Sequence, residues 1–342
     1  MQQVKAKRYG AKKQTLRPQQ ISKGKRIVGI NGMSYNFDTI LAVSLLRRTR
    51  DFAKSEIRFI KAKEDMNGCD MVLGYGGMYN ADTLRFDYHQ HDFKEVFSNK
   101  SKYPMSSAGM VFKRFGKEIV KSVLVSLSEK FDMNVSDELL NVAKDVIYQS
   151  LIEPVDAMTN GFSKFDETPL YLNPTDSFRL MSAQEMKNEN FVEEVEETAS
   201  TFISEMDAHV QSIECYQQTL YNAKKALTFN GEKRRILLVS GFIQVAYIQS
   251  IENKLGVLGN FLFYIREGKA RVTIRTVTSP ESVFVNRAAF PESWRGLENE
   301  ELENAVGEEG VYFCHHSGFM LTCSTTQQAF RLCARVIKEL GL

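Results

Sequence analysis

The strand–helix–strand order at the start of the folded part limits what this chain can become. Arg26-Ile27-Val28-Gly29-Ile30 is β-branched and apolar, and Asn31-Gly32 turns the chain. Phe37–Arg48 then sets Ile40, Leu41, Val43, Ser44 and Leu45 toward a sheet at helical spacing. Glu56–Ile60 and Asp70–Gly74 read as two more strands, the last running into Tyr75-Gly76-Gly77. Alternation of this kind builds a parallel sheet covered by helices. Sites in such sheets form beyond the carboxyl ends of the strands. The residues to watch are therefore Asn31–Asp38, Gly74–Gly77 and Asp87–His91.

The last of these groups has the composition of a metal site. Asp87, His89 and His91 alternate, so on a strand all three project from one face. A carboxylate beside imidazoles is ligand chemistry for a divalent ion such as Mn²⁺. Further on, Ser106–Glu129 and Ser136–Ile152 read as long helices, the second with Ser136 as N-cap and Asp137-Glu138 in its first turn. Residues 163–185 are a polar connection. Glu189–Leu227 is acidic at its start and basic at its end, which suits the helix dipole, so it reads as a long exposed helix between domains. A second strand-rich unit follows, with strands at Ile236–Ser240, Leu258–Ile265, Arg271–Val277 and Val311–His315 and a closing helix from Thr326 to Leu340. The organisation expected is a basic arm over 1–25, a metal-site domain over 26–185, a connecting helix over 186–231 and a smaller domain over 232–342.

At 342 residues, two domains are comfortable. No run of eighteen apolar residues exists, so no membrane span is expected. The five cysteines are scattered without a CxxC pair, which argues against a structural zinc site or a disulfide framework. The formal net charge of +2 conceals an asymmetry. Residues 1–26 hold nine Lys or Arg, among them Lys5, Lys7, Arg8, Lys12, Lys13 and Arg17, and no acid, so the rest of the chain is net acidic. Such an arm suits a phosphate-rich partner or targeting, or reads as a solubilising tail.

Several short segments together resemble one family, the melanocyte-proliferating-gene proteins of the DHH-type phosphoesterases. They are Asn31-Gly32, Tyr75-Gly76-Gly77-Met78-Tyr79, Arg85-Phe86-Asp87-Tyr88-His89-Gln90, Ser106-Ser107-Ala108-Gly109, Val155-Asp156-Ala157-Met158-Thr159-Asn160-Gly161, Trp294-Arg295-Gly296-Leu297 and His315-His316-Ser317-Gly318-Phe319. The resemblance implies an α/β fold: a DHH-type parallel-sheet domain with a second, smaller α/β domain. It also implies descent from metal-dependent 3′-to-5′ RNA exonucleases of mitochondria and nucleus. The compartment it implies is the mitochondrial matrix, with nucleus or cytosol as alternatives.

Against that family's pattern the ligand positions are degenerate. The opening His of the first motif is Ile30, and the second aligns with Asn36 after a one-residue insertion. Asp38 is kept, and the Glu after it is Thr39. The carboxylate at the end of the third strand is Gly74, the signature His is Tyr88, and the second Asp of the fourth motif is Thr159. The C-terminal Gly-Gly-His reads Leu321-Thr322-Cys323. Two-ion catalysis holds its metals roughly 3.5–4 Å apart with bridging carboxylates. Gly74 and Ile30 offer no donor, Asn36 offers a neutral carbonyl, and Tyr88 ligates only as a phenolate, with an ordinary pKa near about 10. Asp38, Asp87, His89 and Asp156 remain. The expectation is no cofactor, or one weakly held Mn²⁺ or Mg²⁺.

Other residues read in two ways. His91 is a replacement ligand or a solvent-facing residue. Asn31, His315, Ser317 and Gly318 are candidates for RNA contact; the alternative for the His315-His316 pair is a strand end with one buried, hydrogen-bonded imidazole. Trp294-Arg295 stacks a base or anchors a domain interface. The clustered Phe261, Phe263 and Tyr264 read as core. Three function classes follow: a non-catalytic descendant kept for binding or scaffolding, an active nuclease with a reduced or rearranged metal site, and a binding subunit of a large ribonucleoprotein anchored by the basic arm; the first and third are compatible, and their combination, with RNA, a ribonucleoprotein or an acidic protein surface as partner, is the favoured reading. Deleting residues 1–25 is expected to weaken RNA binding at low salt and flatten its salt dependence, because each phosphate neutralised releases counterions. Equal affinity of full-length and truncated chains at low salt would remove the arm from recognition.

Overall fold

β1 (Ile27–Asn31), β2 (Glu56–Ile60) and β3 (Met71–Leu73) form where the apolar runs require them. The computed structural model describes residues 25–32, 35–127, 135–162, 191–228, 235–280 and 282–342. The basic arm, except Lys25, and the polar connection at 163–185 lie outside these residues. With β4 (Tyr79–Asn80) and β5 (Arg85–Phe86) the strands make a sheet in the order β2-β1-β3-β5-β4. β1 runs parallel to β2 and β3, and β3 parallel to β5; only β4 is antiparallel. The three parallel neighbours β1, β3 and β5 therefore end at one edge. Gly29 lets β1 approach its neighbours closely: a Cβ there would lie 2.6 Å from Ile60 Cδ1.

α1 (Phe37–Leu46) is buried at every position, not on one face as the spacing predicts. A helix apolar all round is a core helix. Ser44 fits there by donating to Ile40 O and Val195 O, 2.8 and 2.9 Å away. α2 (Ser107–Leu127) packs against α1. α3 (Asp137–Ile147) starts as expected, with Ser136 Oγ accepting from Leu139 N–H. Its α geometry stops at Ile147. A π turn, Tyr148–Ile152, follows and feeds α4 (Glu153–Thr159), which has Pro154 in its first turn.

α5 (Phe191–Thr228) is not an exposed helix. Phe191, Val195, Phe202, Met206, Val210, Ile213, Tyr216, Leu220 and Ala223 form a buried stripe, most of them three to four residues apart. The stripe packs on α1 and on β6 (Ile236–Val239). A single apolar cluster consequently runs from Val28 and Leu41 through α5 to Leu237, Tyr247 and Tyr264.

The second sheet also contains β7 (Phe263–Glu267), β8 (Val272–Thr276), β11 (Val311–Cys314) and β12 (Met320–Cys323), in the order β11-β12-β8-β7-β6. β9 (Thr278–Ser279) and β10 (Ser282–Asn286) pair separately. β7 begins five residues later than Leu258 because the chain first loops over Glu252, whose carboxylate accepts from Phe261 N–H at 2.7 Å and from Arg287 at 2.7 Å. β12, α6 (Val245–Leu255) and α7 (Asn299–Val306) are not anticipated by the sequence reading. α8 (Thr326–Glu339) closes the chain. One sheet face is sealed by a second cluster that includes Leu302, Val306, Leu332, Val336 and Trp294. Trp294 is 1 % exposed and stacks on Phe290, so it neither stacks a base nor anchors an interface between domains. Phe261, Phe263 and Tyr264 are core, as expected. Among the described residues no helix is long and apolar enough to cross a membrane.

His209 sits in the middle of α5, 2 % exposed, between Ser150 Oγ at 3.2 Å and Tyr247 Oη at 3.1 Å. Burial pushes its pKa down to about 4 from 6.5. The folded state thus holds a neutral ring that the unfolded chain would protonate. Its stabilising contribution is complete above pH 6.5 and is lost as pH falls toward 4. Because carboxyls titrate in the same range, the test compares thermal melts of the wild type and His209→Gln. The wild type should lose stability relative to the variant on acidification across this window. A constant difference would show that His209 is not held neutral.

Candidate functional site

β5 ends at Phe86, so Asp87, Tyr88 and His89 leave the sheet as loop and do not alternate on a strand face. His91 lies exposed in the following turn. Asp87 nonetheless arrives at the carboxyl edge of the parallel strands, beside Gly74, whose N–H donates to Phe86 O at 2.9 Å. Asn31 ends β1 at the same edge. The first turn of α1 brings Asp38, and α4 brings Asp156.

The start of α2 joins the last two. Ser107 N–H donates to Asp38 Oδ2 at 3.2 Å, and Ser106 N–H donates to Asp156 Oδ1 at 2.8 Å. Unsatisfied N–H groups and a positive dipole end make a helix N-terminus a natural seat for carboxylates. Ser106 Oγ adds a 2.6 Å bond to Asp156 Oδ1, and Tyr148 Oη donates to Asp156 Oδ2 at 2.7 Å. The π turn sets the direction of Tyr148, which also stacks on Phe97 with centroids 3.7 Å apart. Burial pushes the Asp156 carboxyl up to about 7, against the hydrogen bonds from Ser106 and Tyr148. Asp38 is also fully buried, and loss of solvent raises its pKa. Its Oδ1 and the Ser107 Oγ are buried without a hydrogen-bond partner among the described residues.

Asp87 differs. Burial works to raise its pKa, but His89 and the Gly77 N–H outweigh it and hold the carboxyl low. His89 Nδ1 lies 2.6 Å from Asp87 Oδ1, and Gly77 N–H donates to Oδ2 at 2.6 Å. The hydrogen bond to Asp87 raises the pKa of His89 in return. Tyr88 stacks on the His89 ring at 4.3 Å. Its hydroxyl lies against Asn36 and Asp38, and burial followed by the charge of Asp38 holds it protonated well above the ordinary tyrosine range.

Asp38, Asp87, Tyr88, His89 and Asp156 are thus near enough to perturb one another, around the start of α2. Of the degenerate positions, Ile30 is fully buried in the apolar core, Asn36 is the exposed N-cap of α1 and Thr159 ends α4 half-buried. Gly74, at φ +61°, has a left-handed backbone that disfavours a side chain, and a Cβ there would sit in ordinary contact with Thr39 Oγ1 at 3.5 Å and Ser107 Oγ at 3.6 Å. His315, Ser317 and Gly318 lie on the β11–β12 turn. Neither histidine there is buried: His315 pairs with Ser317 Oγ at 2.9 Å and His316 is exposed. Arg295 donates to Phe290 O.

The donor chemistry does not fit a two-ion centre. Asp156 Oδ1 accepts two hydrogen bonds and Oδ2 one, Tyr88 keeps its proton, and Gly74, Ile30 and Thr159 supply no carboxylate or imidazole where the family pattern has one. Among the described residues no three His, Cys, Asp or Glu side chains are grouped to hold a metal ion. Sequence reasoning missed Ser106, Ser107, Gly109 and Tyr148 as site residues. A serine pair before a helix signals capping, and a glycine two positions later signals close approach. Nothing in the sequence marks Tyr148.

The fold is thus α/β, with its surviving acids gathered in a helix-terminal polar cluster at the edge of a parallel sheet. Residues 27–337 match the MYG1_exonuc family model, described as "Uncharacterised protein family (UPF0160)", and the chain belongs to that family. It is 27% identical over 319 residues to MYG1 protein C694.04c of Schizosaccharomyces pombe, covering 89% of this chain and 95% of that protein. It is 26% identical to MYG1 exonuclease of Mus musculus (91% and 85% covered) and 27% identical to MYG1 exonuclease of Homo sapiens (86% and 81%). Among solved structures it resembles RecJ in complex with Mn²⁺ from Thermus thermophilus, with TM-score 0.22 and 11% identity over 92% of this chain and 51% of that one. It also resembles an exonuclease RecJ bound to manganese, with TM-score 0.22 and 12% identity, covering 92% and 89%. The chain spans about half the length of the first RecJ. At these scores neither likeness bears on the site or its chemistry.

Gly109 tests the geometry. A Cβ there would overlap both Asp156 oxygens. Gly109→Ala should destabilise the protein by about 1–3 kcal/mol through overpacking, although alanine favours a helix. The cost should shrink in an Asp156→Ala background, where the two sites couple. Equal costs in both backgrounds, measured by denaturant unfolding, would separate Gly109 from Asp156.

Proposed function

We propose that this chain is a non-catalytic member of an exonuclease family, retained to bind RNA or a ribonucleoprotein surface. The observation that supports this reading is what the acids accept from: Asp156 takes three hydrogen bonds from Ser106 and Tyr148, and Asp87 is held by His89 and Gly77. These residues now hold α1, α2 and α4 against the sheet edge. The carboxylates act there as hydrogen-bond acceptors. The basic arm supplies an electrostatic anchor for a phosphate-rich or acidic partner.

A second reading, an active nuclease with one Mn²⁺ or Mg²⁺, draws on one observation. Asp38 Oδ1 and Ser107 Oγ are unpartnered among the described residues, and the His89 side chain is 55% exposed. Those oxygens and that ring are the donors from which a single-ion site would have to be assembled.

Purified protein with Mn²⁺ should degrade short RNA at least about a thousandfold more slowly than an active family member, the loss expected when several kcal/mol of transition-state stabilisation go with a missing ion. Metal-dependent turnover abolished by Asp87→Ala or His89→Ala would establish the second reading instead. Gly74→Asp combined with Tyr88→His and Asn36→His should raise Mn²⁺ affinity in calorimetry, since the added carboxylate would stand beside Thr39 and Ser107, with a loss of thermal stability from the left-handed backbone at position 74.

A further inference from the structure

Residues 137–159 are one helical run whose register changes in the middle. α3 hands over to the π turn at Tyr148, and Glu153 N–H reaches back five residues to Tyr148 O. α4 then carries Pro154 in its first turn. Proline brings no N–H and presses on the carbonyl four residues before it, here that of Ser150, so an α ladder cannot run through unchanged. The wider turn redirects the side chains. At about 3.6 residues per turn, residues seven apart share a face of an α-helix, and residues eight apart differ by about 80°. One added residue in a π turn makes eight the shared-face spacing. Tyr148 and Asp156 are eight apart, and Tyr148 Oη donates to Asp156 Oδ2 at 2.7 Å. An unbroken α-helix would turn these two side chains away from each other.

The π turn is held from outside its own helix. Ser150, its middle residue, sets Oγ 2.9 Å from Val146 O and 3.2 Å from His209 Nε2. His209 Nδ1 lies 3.1 Å from Tyr247 Oη. The hydroxyls fix the tautomer. Ser150 O–H donates to Val146 O, so Ser150 Oγ accepts from His209 Nε2–H, and Nδ1 accepts the Tyr247 hydroxyl proton. The ring is therefore neutral, as its burial demands. Tyr247 is fully buried on α6, the helix that joins β6 to β7. α5, α6 and the π turn thus meet at one imidazole. Packing alone does not call for it: the neighbours of His209 in the buried stripe, Met206, Val210 and Ile213, are apolar.

We propose that His209 is a positioning residue for the carboxylate cluster: through Ser150 it holds the π turn in register, the turn keeps Tyr148 on Asp156, and α6 and the start of α2 therefore shift together. The last link is the pair of bonds from Ser106 N–H and Oγ to Asp156. A partner that moves α6 is felt at the edge of the first sheet, and a ligand at that edge is felt at α6, because coupling between two sites is reciprocal.

The test is a double-mutant cycle by denaturant unfolding of the full-length chain. Tyr148→Phe keeps the ring on Phe97 and deletes the bond to Asp156. Its cost, read as a fold-change in the unfolding constant, should shrink at least about threefold in a His209→Leu background, because residues in one hydrogen-bond network couple. It should stay unchanged in a Leu220→Val background, about 16 Å further along α5. His209→Gln offers an amide N–H to Ser150 and a carbonyl to Tyr247, and should restore the full cost. Ser150→Ala, at an exposed position, supplies the cycle where His209→Leu fails to fold, and the same shrinkage is expected. Native-state hydrogen exchange gives a local reading: Ser106 N–H should exchange faster in His209→Leu and return to the wild-type rate in His209→Gln. Additive costs in the His209→Leu and Ser150→Ala backgrounds would overturn the link. A Leu220→Val background that shrinks the cost equally would overturn it as well, as would failure of His209→Gln to restore the cost, which would leave His209 a packing residue only.

Discussion

The start of α2 is the junction on which the first half of this molecule depends. Two successive N–H groups, of Ser106 and Ser107, each donate to a buried carboxylate carried by a different element. A helix N-terminus offers several donors with no intrahelical acceptor, so it can hold two acids where water is excluded. Ser106 Oγ and Tyr148 Oη complete the shell around Asp156, although burial still raises the pKa of both acids. Gly109 must lack a side chain for the carboxylate to come so close. Removing one partner from such a network leaves a buried polar group unpaired, which costs more than the bond itself contributed.

That junction also decides what the acids at the sheet edge touch. Metal ligands need free lone pairs directed at a common point. Here the lone pairs of Asp156 and Asp87 point at protein donors, and the position between Thr39 and Ser107 holds a glycine. Through these bonds the acids tie α1, α4 and the β5 edge to the start of α2 and the Gly77 turn.

Much of the fold was legible. β2 and the starts of α1, α3 and α8 fall where apolar spacing and capping residues put them, because local pattern decides such elements. α5 was legible as a helix but not as a buried one. Its stripe of Phe202, Met206, Val210 and Ile213 is diluted by acids on the other face, and burial depended on what packs against it. The short strand β12 was missed because Met320–Cys323 gains its strand geometry from pairing with β8 and β11. Of the site, Asp38, Asp87, His89 and Asp156 were named from sequence and do gather in one region. The supposed strand carrying Asp87, His89 and His91 does not form, since the pairing of β5 with β3 and β4 ends at Phe86 and only the Asp87 N–H reaches on to Met78 O.

The sequence by itself determined the α/β order, the family, and which ligand types were gone: an isoleucine or a glycine side chain cannot coordinate an ion in any fold. Only the tertiary structure decided what the surviving ligands do. Asp156 accepts three hydrogen bonds because a π turn aims Tyr148 at it from eight residues away, and because α2 begins beside it. Trp294 became core and not a base platform because Phe290 and α8 close over it. Hydrogen bonding and burial are relations between distant segments, and no local pattern encodes them.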